Sequence, residues 1–193
     1  MPDLDDGQNA WAIAGRHPYG RCSATRLITT AIGQQPNQKE MSQMNTCHFD
    51  DRAIHWNRFG DFVPAFHYTI LDLDEKSRIA DVLFKLPGNE QILLHRHHAL
   101  NHTFVVQGEH RLYETDGRLR EARLSGSYTV SPASEKPHRE GGGEQDVIIL
   151  FSIRPGNDEV LYELLDDELN PLGTITFQTL VELYRAQQES TPD

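Results

Sequence analysis

Short apolar stretches alternate with turn-forming residues through most of the sequence, and this spacing constrains the fold more than any other feature. Nine predicted strands span residues 67–71, 78–86, 91–97, 102–107, 109–114, 118–124, 127–131, 146–153 and 160–165. Turns are indicated by Pro87-Gly88-Asn89 and by Asp116-Gly117. Short strands separated in this way are typical of an antiparallel sandwich or barrel. We therefore predict an all-β domain, with a jelly roll as the natural architecture because its interior can hold a small site.

The two ends of the chain depart from the strand pattern. Residues 1–45 are rich in Asp, Gln, Asn and Gly without sustained periodicity, so we predict an extension that is disordered or loosely attached to a domain over residues 46–188. Near the other end, Phe177, Leu180, Val181 and Tyr184 follow the spacing of one helix face. Thr176 is a suitable N-cap for this helix. We predict a C-terminal helix whose apolar face packs against the sheet.

The net charge argues against two classes of partner, and the cysteine content argues against a disulfide-stabilised fold. The chain has 193 residues, enough for one domain, with a net charge of −11 and a predicted pI of about 5.3. This balance argues against nucleic acid or an anionic membrane as the main partner, because both require a basic face. Cys22 and Cys47 are too few for a disulfide framework, and we expect a cytoplasmic protein.

Histidines are concentrated between two apolar stretches in the middle of the chain. His95 and His97 are two residues apart in a predicted strand and therefore share one face, whereas His98 is expected to face outward. The next predicted strand begins at His102 and, if it pairs antiparallel, brings that ring towards the first two. Three imidazoles meeting inside a β-structure indicate a divalent metal site. The alternative is a surface strand with solvated rings and no function.

These residues resemble the first motif of the cupin superfamily. Gly88, His95-Arg96-His97 and Gly108 match its glycines and its histidine pair. His102 stands at the place of the acidic residue in the motif.

The second cupin motif is matched in part. Gly126 and Pro132 have the correct spacing, while Ser134 replaces a glycine of the motif. His138 lies one residue later than the motif histidine, and Pro137 before it would hold the loop extended. The resemblance covers about residues 55–165.

The most similar cupins are the single-domain dioxygenases that cleave acetylacetone or dihydroxyacetophenone. The resemblance implies an Fe(II) site with ligands among His95, His97, His102 and His138, and either of the last two would complete the set. Imidazole also suits other metals, so zinc, nickel, manganese and copper stay open alternatives.

By this resemblance the function is oxidative cleavage of a carbon–carbon bond in a small diketone or hydroxyketone. Candidate pocket residues are Phe104, Val106, Phe151 and Arg139, whereas the catalytic residues are not identified. Cupins often pair through their sheets, so a homodimer is expected. The alternative function is a metal- or ligand-binding regulatory or sensor cupin without oxygenase activity, and an isomerase or storage-type cupin is a third reading.

Overall fold

The computed structural model describes residues 49–134 and 136–190, so the predicted extension at residues 1–45 lies outside the described residues. Twelve strands and one helix form the described part of the chain. They are β1 (Asn57–Arg58), β2 (His67–Asp74), β3 (Ile79–Leu86), β4 (Leu94–His97), β5 (Leu100–Gln107), β6 (Glu109–Tyr113), β7 (Leu119–Leu124), β8 (Tyr128–Ser131), β9 (Arg139–Gly142), β10 (Val147–Arg154), β11 (Val160–Leu165), β12 (Pro171–Thr176) and α1 (Phe177–Ser190). The prediction of a mostly β domain with a C-terminal helix is confirmed.

The described strands hydrogen-bond in three sheets. The largest has the order β1-β2-β3-β10-β5-β8, and the smaller ones have the orders β12-β11-β4 and β7-β6-β9. All the strand pairs are antiparallel. Isolated bridges connect residues outside these pairs, including one between His95 and His138. The described strands form three sheets and not one continuous sheet, so the mostly β class is confirmed, whereas a single closed barrel is not.

The core is built around β10, whose sequence is the most apolar of the strands. It lies between β3 and β5, and its residues Val147, Ile149 and Ile153 are buried. Helix α1 adds Phe177, Leu180 and Val181 to the same core. The Thr176 hydroxyl accepts a hydrogen bond from the backbone N–H of Thr179 at 3.0 Å, so the predicted N-cap is present. No helix in the described part of the chain is long and apolar enough to cross a membrane.

Strand β5 presents the opposite face to the core from the one that the sequence predicts. The sequence pattern places His102, Phe104 and Val106 inside, whereas the structure buries Asn101, Thr103 and Val105 and leaves Phe104 40% exposed. Side chains alternate along a strand, so an error of one residue exchanges the two faces. The buried positions 95, 97, 99, 101, 103 and 105 form one uninterrupted alternation from β4 through β5. His102 therefore lies on the face opposite His95 and His97, and the predicted convergence required a shift that the chain does not make.

Two strands lie where the sequence does not predict them. The glycine-rich residues 133–145 predict a loop but contain β9, which pairs with β6. Strand β12 follows the turn predicted after residue 166 and pairs with β11. Strand β9 has glycine at two of its four positions, which hides its strand character from sequence propensity. A Cβ atom on Gly141 would lie 1.9 Å from the carbonyl oxygen of Glu90. Glycine at this position therefore permits close packing of two backbones.

Candidate metal centre

Three imidazoles and one carboxylate meet in the interior. His95, His97, His138 and Glu140 are all buried, and one potential ligand atom from each lies within 4.8 Å of the others. Histidine nitrogen and carboxylate oxygen are ordinary ligands of divalent transition metals. These four residues, called the histidine–glutamate cluster below, are suited to bind a divalent metal.

Two neighbouring strands bring these four side chains together. His95 and His97 point inward from β4 because they are two residues apart. His138 precedes β9 and faces His95 through two backbone hydrogen bonds, from His95 N to His138 O at 3.0 Å and from His138 N to His95 O at 2.9 Å. Glu140 follows two residues later, so its carboxylate lies on the same face as the His138 ring. The pattern His-x-Glu at residues 138–140, which leads into β9, thus repeats the alternation of His-x-His on β4.

The spacing of the donor atoms fits shared ligation of one ion. His95 Nε2 lies 3.1 Å from His97 Nε2, and His138 Nε2 lies 3.1 Å from a carboxylate oxygen of Glu140. Ligand atoms about 2.1 Å from a divalent ion are separated from adjacent ligands by roughly 3.0–3.4 Å in tetrahedral or octahedral geometry. The separations therefore match those of adjacent ligands.

Hydrogen bonds from neighbouring residues orient the first two rings. His95 Nδ1 donates to the carbonyl of Leu93 at 3.0 Å, which leaves the lone pair on Nε2 directed into the cluster. His97 Nδ1 lies 3.1 Å from the amide nitrogen of Asn101. Asn101 is itself held by the Tyr162 hydroxyl, which donates to its Oδ1 at 2.8 Å. Asn101 and Tyr162 therefore position the His97 ring from the side away from the cluster.

The surroundings favour the neutral forms of His95 and His97 and the ionised form of Glu140. Burial, followed by repulsion from His138, lowers the pKa of His95 to about 4. Burial and the neighbouring His95 likewise hold the pKa of His97 well below its usual value. Burial alone would raise the pKa of Glu140, but the adjacent His110 and His138 outweigh it and hold that pKa well below the usual range. At neutral pH His95 and His97 are therefore neutral and Glu140 is ionised, which are the charge states in which these side chains bind a metal.

His102, which the sequence predicts as a ligand, does not reach the histidine–glutamate cluster. Its side chain leaves β5 on the face away from the interior, and its Nδ1 contacts the Tyr128 hydroxyl. Glu140 supplies the carboxylate instead, from a different strand. The sequence signal for Glu140 was its two-residue spacing from His138, but this spacing has meaning only if residues 138–140 are extended.

Only some of the predicted pocket residues lie beside the histidine–glutamate cluster. Phe151 borders the histidine–glutamate cluster and lies 6.4 Å from His97 between ring centroids. Arg139 forms an ion pair with Asp167 instead of facing the site. Phe104 and Val106 lie on the outer face of β5 and line neither of the cavities described next.

Two cavities adjoin the histidine–glutamate cluster, and His97, Glu140 and Phe151 line both. The first, called the apolar cavity, has a volume of about 60 Å³ and is bordered by aromatic and aliphatic side chains. These include Phe59, Phe66, Phe84, Ile92, Leu164 and Ile175. The second, called the polar cavity, has a volume of about 310 Å³ and includes Asn101, Thr103, Arg120, Arg123, Ser134 and Lys136 in its lining. A ligand on the metal would thus have an apolar and a polar side available.

His110 lies behind Glu140 and is a further residue that the sequence did not identify as part of the site. It is completely buried on β6, and its Nε2 is 3.5 Å from the second carboxylate oxygen of Glu140. Neither ring nitrogen has a hydrogen-bond partner among the described residues. A small approach of the two side chains would complete a hydrogen bond that orients the carboxylate towards the other three ligands.

Replacing His110 is expected to weaken metal binding without abolishing it. A His110→Leu variant introduces an apolar side chain of similar size and loses the contact with Glu140, so its affinity for Zn²⁺ should fall by about tenfold. His110→Gln restores a donor and should recover part of the loss. Calorimetric titration with Zn²⁺ measures both variants, and His98→Leu, on an exposed neighbour of the cluster, is the control. Unchanged affinity in His110→Leu would show that His110 does not orient Glu140.

The fold is that of the cupins. The sequence matches no protein-family model, and no curated protein matches it. Among solved structures, an RmlC-like cupin protein from Ralstonia eutropha JMP134 is similar with a TM-score of 0.58 and 19% identity over 78% of this chain and 92% of the other. A proposed acetylacetone dioxygenase from Methylibium petroleiphilum PM1 has a TM-score of 0.53 and 11% identity over 82% and 99% of the two chains. An acetylacetone dioxygenase from Acinetobacter johnsonii has a TM-score of 0.50 and 14% identity over 74% and 99%.

Proposed function

We propose that this protein is a non-haem Fe(II) dioxygenase that cleaves a carbon–carbon bond in a small diketone or hydroxyketone. The observation that carries the proposal is the buried histidine–glutamate cluster, which adjoins two cavities in a domain with the cupin fold. The structural likeness to acetylacetone dioxygenases supports the reaction class. The four ligands would also suit other divalent metals, so the identity of the metal as iron is itself part of the proposal.

The four ligands set the charge that a substrate would meet. Three neutral imidazoles and one carboxylate leave one net positive charge on a bound divalent ion. The enolate of a 1,3-diketone is a monoanion with two oxygen atoms, so it would neutralise that charge while chelating. An Fe(II) ion held by these four residues would supply the positive charge that binds the enolate and the electrons that activate dioxygen.

The protein's own residues hold the ligands and keep bulk water away. The two β4 histidines are oriented by the Leu93 carbonyl, Asn101 and Tyr162. Phe151 packs against Phe84 with ring centroids 5.3 Å apart, and both line the apolar cavity. This aromatic wall would receive the alkyl or aryl end of a substrate. The exclusion of water there strengthens the electrostatic attraction between enolate and metal.

Metal analysis followed by oxygen-uptake measurement tests the proposal. Protein purified without added metal should contain about one divalent ion per chain by elemental analysis. After anaerobic loading with Fe(II), addition of acetylacetone or a hydroxyacetophenone should consume dioxygen in a 1:1 ratio with the substrate, since both oxygen atoms enter the products. A protein that binds metal but consumes no oxygen with any such compound would contradict the dioxygenase proposal and favour the sensor function. The homodimer remains a prediction from resemblance.

A further inference from the structure

The polar cavity combines metal ligands with basic side chains. His97, His138 and Glu140 of the histidine–glutamate cluster line it, and so do Arg120, Arg123 and Lys136. Among the described residues of its lining, Glu140 is the single acidic side chain. The whole chain has 18 Lys and Arg residues against 29 Asp and Glu. A cavity whose lining has three basic side chains and one acidic one therefore differs in sign from the protein as a whole.

One of the three basic side chains is already neutralised. Arg123 donates two hydrogen bonds of 2.8 Å to the carboxylate of Glu121 and one of 3.1 Å to the Thr129 hydroxyl. Its guanidinium is also largely buried, with 12% of the side chain exposed. This residue stabilises the cavity wall, and its charge is balanced within the protein.

The other two basic side chains have no such balance. Neither Arg120 nor Lys136 forms a side-chain hydrogen bond or close ion pair within the part of the chain that the structure describes. Glu121 interacts electrostatically with Arg120, but it is engaged through both oxygens by Arg123. Arg120 on β7 and Lys136 before β9 come from separate segments, so the fold, and not local sequence, brings them to one cavity. Two uncompensated positive charges beside a metal-binding cluster indicate an anionic ligand.

We infer that the polar cavity binds a carboxylate of the substrate, so that the substrate is a chelating dicarbonyl acid and not a neutral diketone. This inference rests on the proposed function and specifies its substrate class. The dicarbonyl end would meet the histidine–glutamate cluster, and the carboxylate would interact with Arg120 and Lys136. The charges agree with this division, because the enolate offsets the net charge of the metal and its ligands while the carboxylate offsets one of the two positive charges of the basic pair. A volume of about 310 Å³ accommodates a small molecule of this kind.

Two chelators that differ by one carboxylate test the inference. Acetylacetone and 2,4-dioxopentanoate share the 1,3-dicarbonyl unit, and only the second is a carboxylic acid. Binding is measured by calorimetry to the full-length protein loaded with Zn²⁺, which binds the chelators without turnover. The wild-type protein is expected to bind 2,4-dioxopentanoate at least about tenfold more tightly than acetylacetone, as a charge-assisted contact predicts.

Arg120→Gln and Lys136→Gln should each remove most of that preference while changing the affinity for acetylacetone by less than about twofold. Both residues are exposed and lie outside the histidine–glutamate cluster, so neither substitution disturbs the core. Arg118→Gln is the matched control, because Arg118 is an arginine just before β7 whose side chain is 76% exposed and lines neither cavity. It should retain the full preference for the acid.

The outcomes separate this inference from the proposed function. Equal affinity of the wild-type protein for both chelators would overturn the inference while leaving metal and diketone binding intact. Unchanged preference in both Arg120→Gln and Lys136→Gln, or equal loss in Arg118→Gln, would overturn it as well. Failure of the wild-type protein to bind Zn²⁺ would refute the metal site itself, and the inference with it.

Discussion

A His97→Ala variant is expected to lose bound metal and to consume dioxygen at less than about one hundredth of the wild-type rate. Removal of a direct ligand should lower metal affinity and activity at least as much as removal of the contacts that support that ligand. His97 Nε2 lies 3.1 Å from His95 Nε2, and the His97 side chain faces both cavities. Its loss removes one ligand and opens the site to water. Elemental analysis gives the metal content, and an oxygen electrode gives the rate with Fe(II)-loaded protein.

His98→Ala is the matched control for this experiment. His98 is adjacent in sequence, its side chain is 41% exposed, and it lies near Glu163 on the outer side of β4. This variant should retain metal and activity. Circular dichroism distinguishes loss of metal from loss of fold, and Glu140→Gln offers a second test with almost no change in side-chain volume. Full metal occupancy in both His97→Ala and Glu140→Gln would disprove the metal centre.

A Gly141→Ala variant is expected to lose about 3 kcal/mol of unfolding free energy, at the upper end of the cost of overpacking. The new Cβ would lie 1.9 Å from the Glu90 carbonyl oxygen, which belongs to the backbone and cannot rotate away. Either β9 or the segment before β4 must move. Because β9 holds Glu140 and adjoins His138, we also expect weaker metal binding in any Gly141→Ala protein that folds. Chemical denaturation and Zn²⁺ titration measure the two effects.

Gly173→Ala provides the comparison for Gly141→Ala. A Cβ atom at Gly173 would meet no atom within 4 Å, and the residue lies in the exposed part of β12. The substitution should change the unfolding free energy by no more than about 0.5 kcal/mol, as is usual for an exposed position. Similar losses in the two variants would mean that the contact with Glu90 is relieved without cost.

The sequence predicts a divalent metal site, but it identifies only part of the histidine–glutamate cluster. His95 and His97 follow from their alternation within one strand, and no tertiary information is needed to place them on one face. His138 depended on the resemblance to the second cupin motif, in which it is shifted by one residue. Glu140 was missed because residues 133–145, with three consecutive glycines, have the composition of a loop.

Strand alternation excludes His102 from the histidine–glutamate cluster, whereas the presence of Glu140 depends on tertiary contacts. Buried residues alternate without interruption from His95 to Val105, so His102 lies on the opposite face of β5, which lies in the sheet between β10 and β8. The buried choice is Asn101, Thr103 and Val105, of which Asn101 supports His97. His102 is consequently turned to the outer face, where it contacts Tyr128.

The sequence by itself determined the mostly β class, the position of the C-terminal helix and the pair of histidines on β4. These features depend on periodicity, turn residues and capping, which act between residues close together in the chain. Only the tertiary structure decided that β9 is a strand, that Glu140 joins the histidines, and that Arg120 and Lys136 line one cavity. Each of these depends on contacts between distant segments, whose register is set by the burial of the whole sheet and not by any one stretch of sequence.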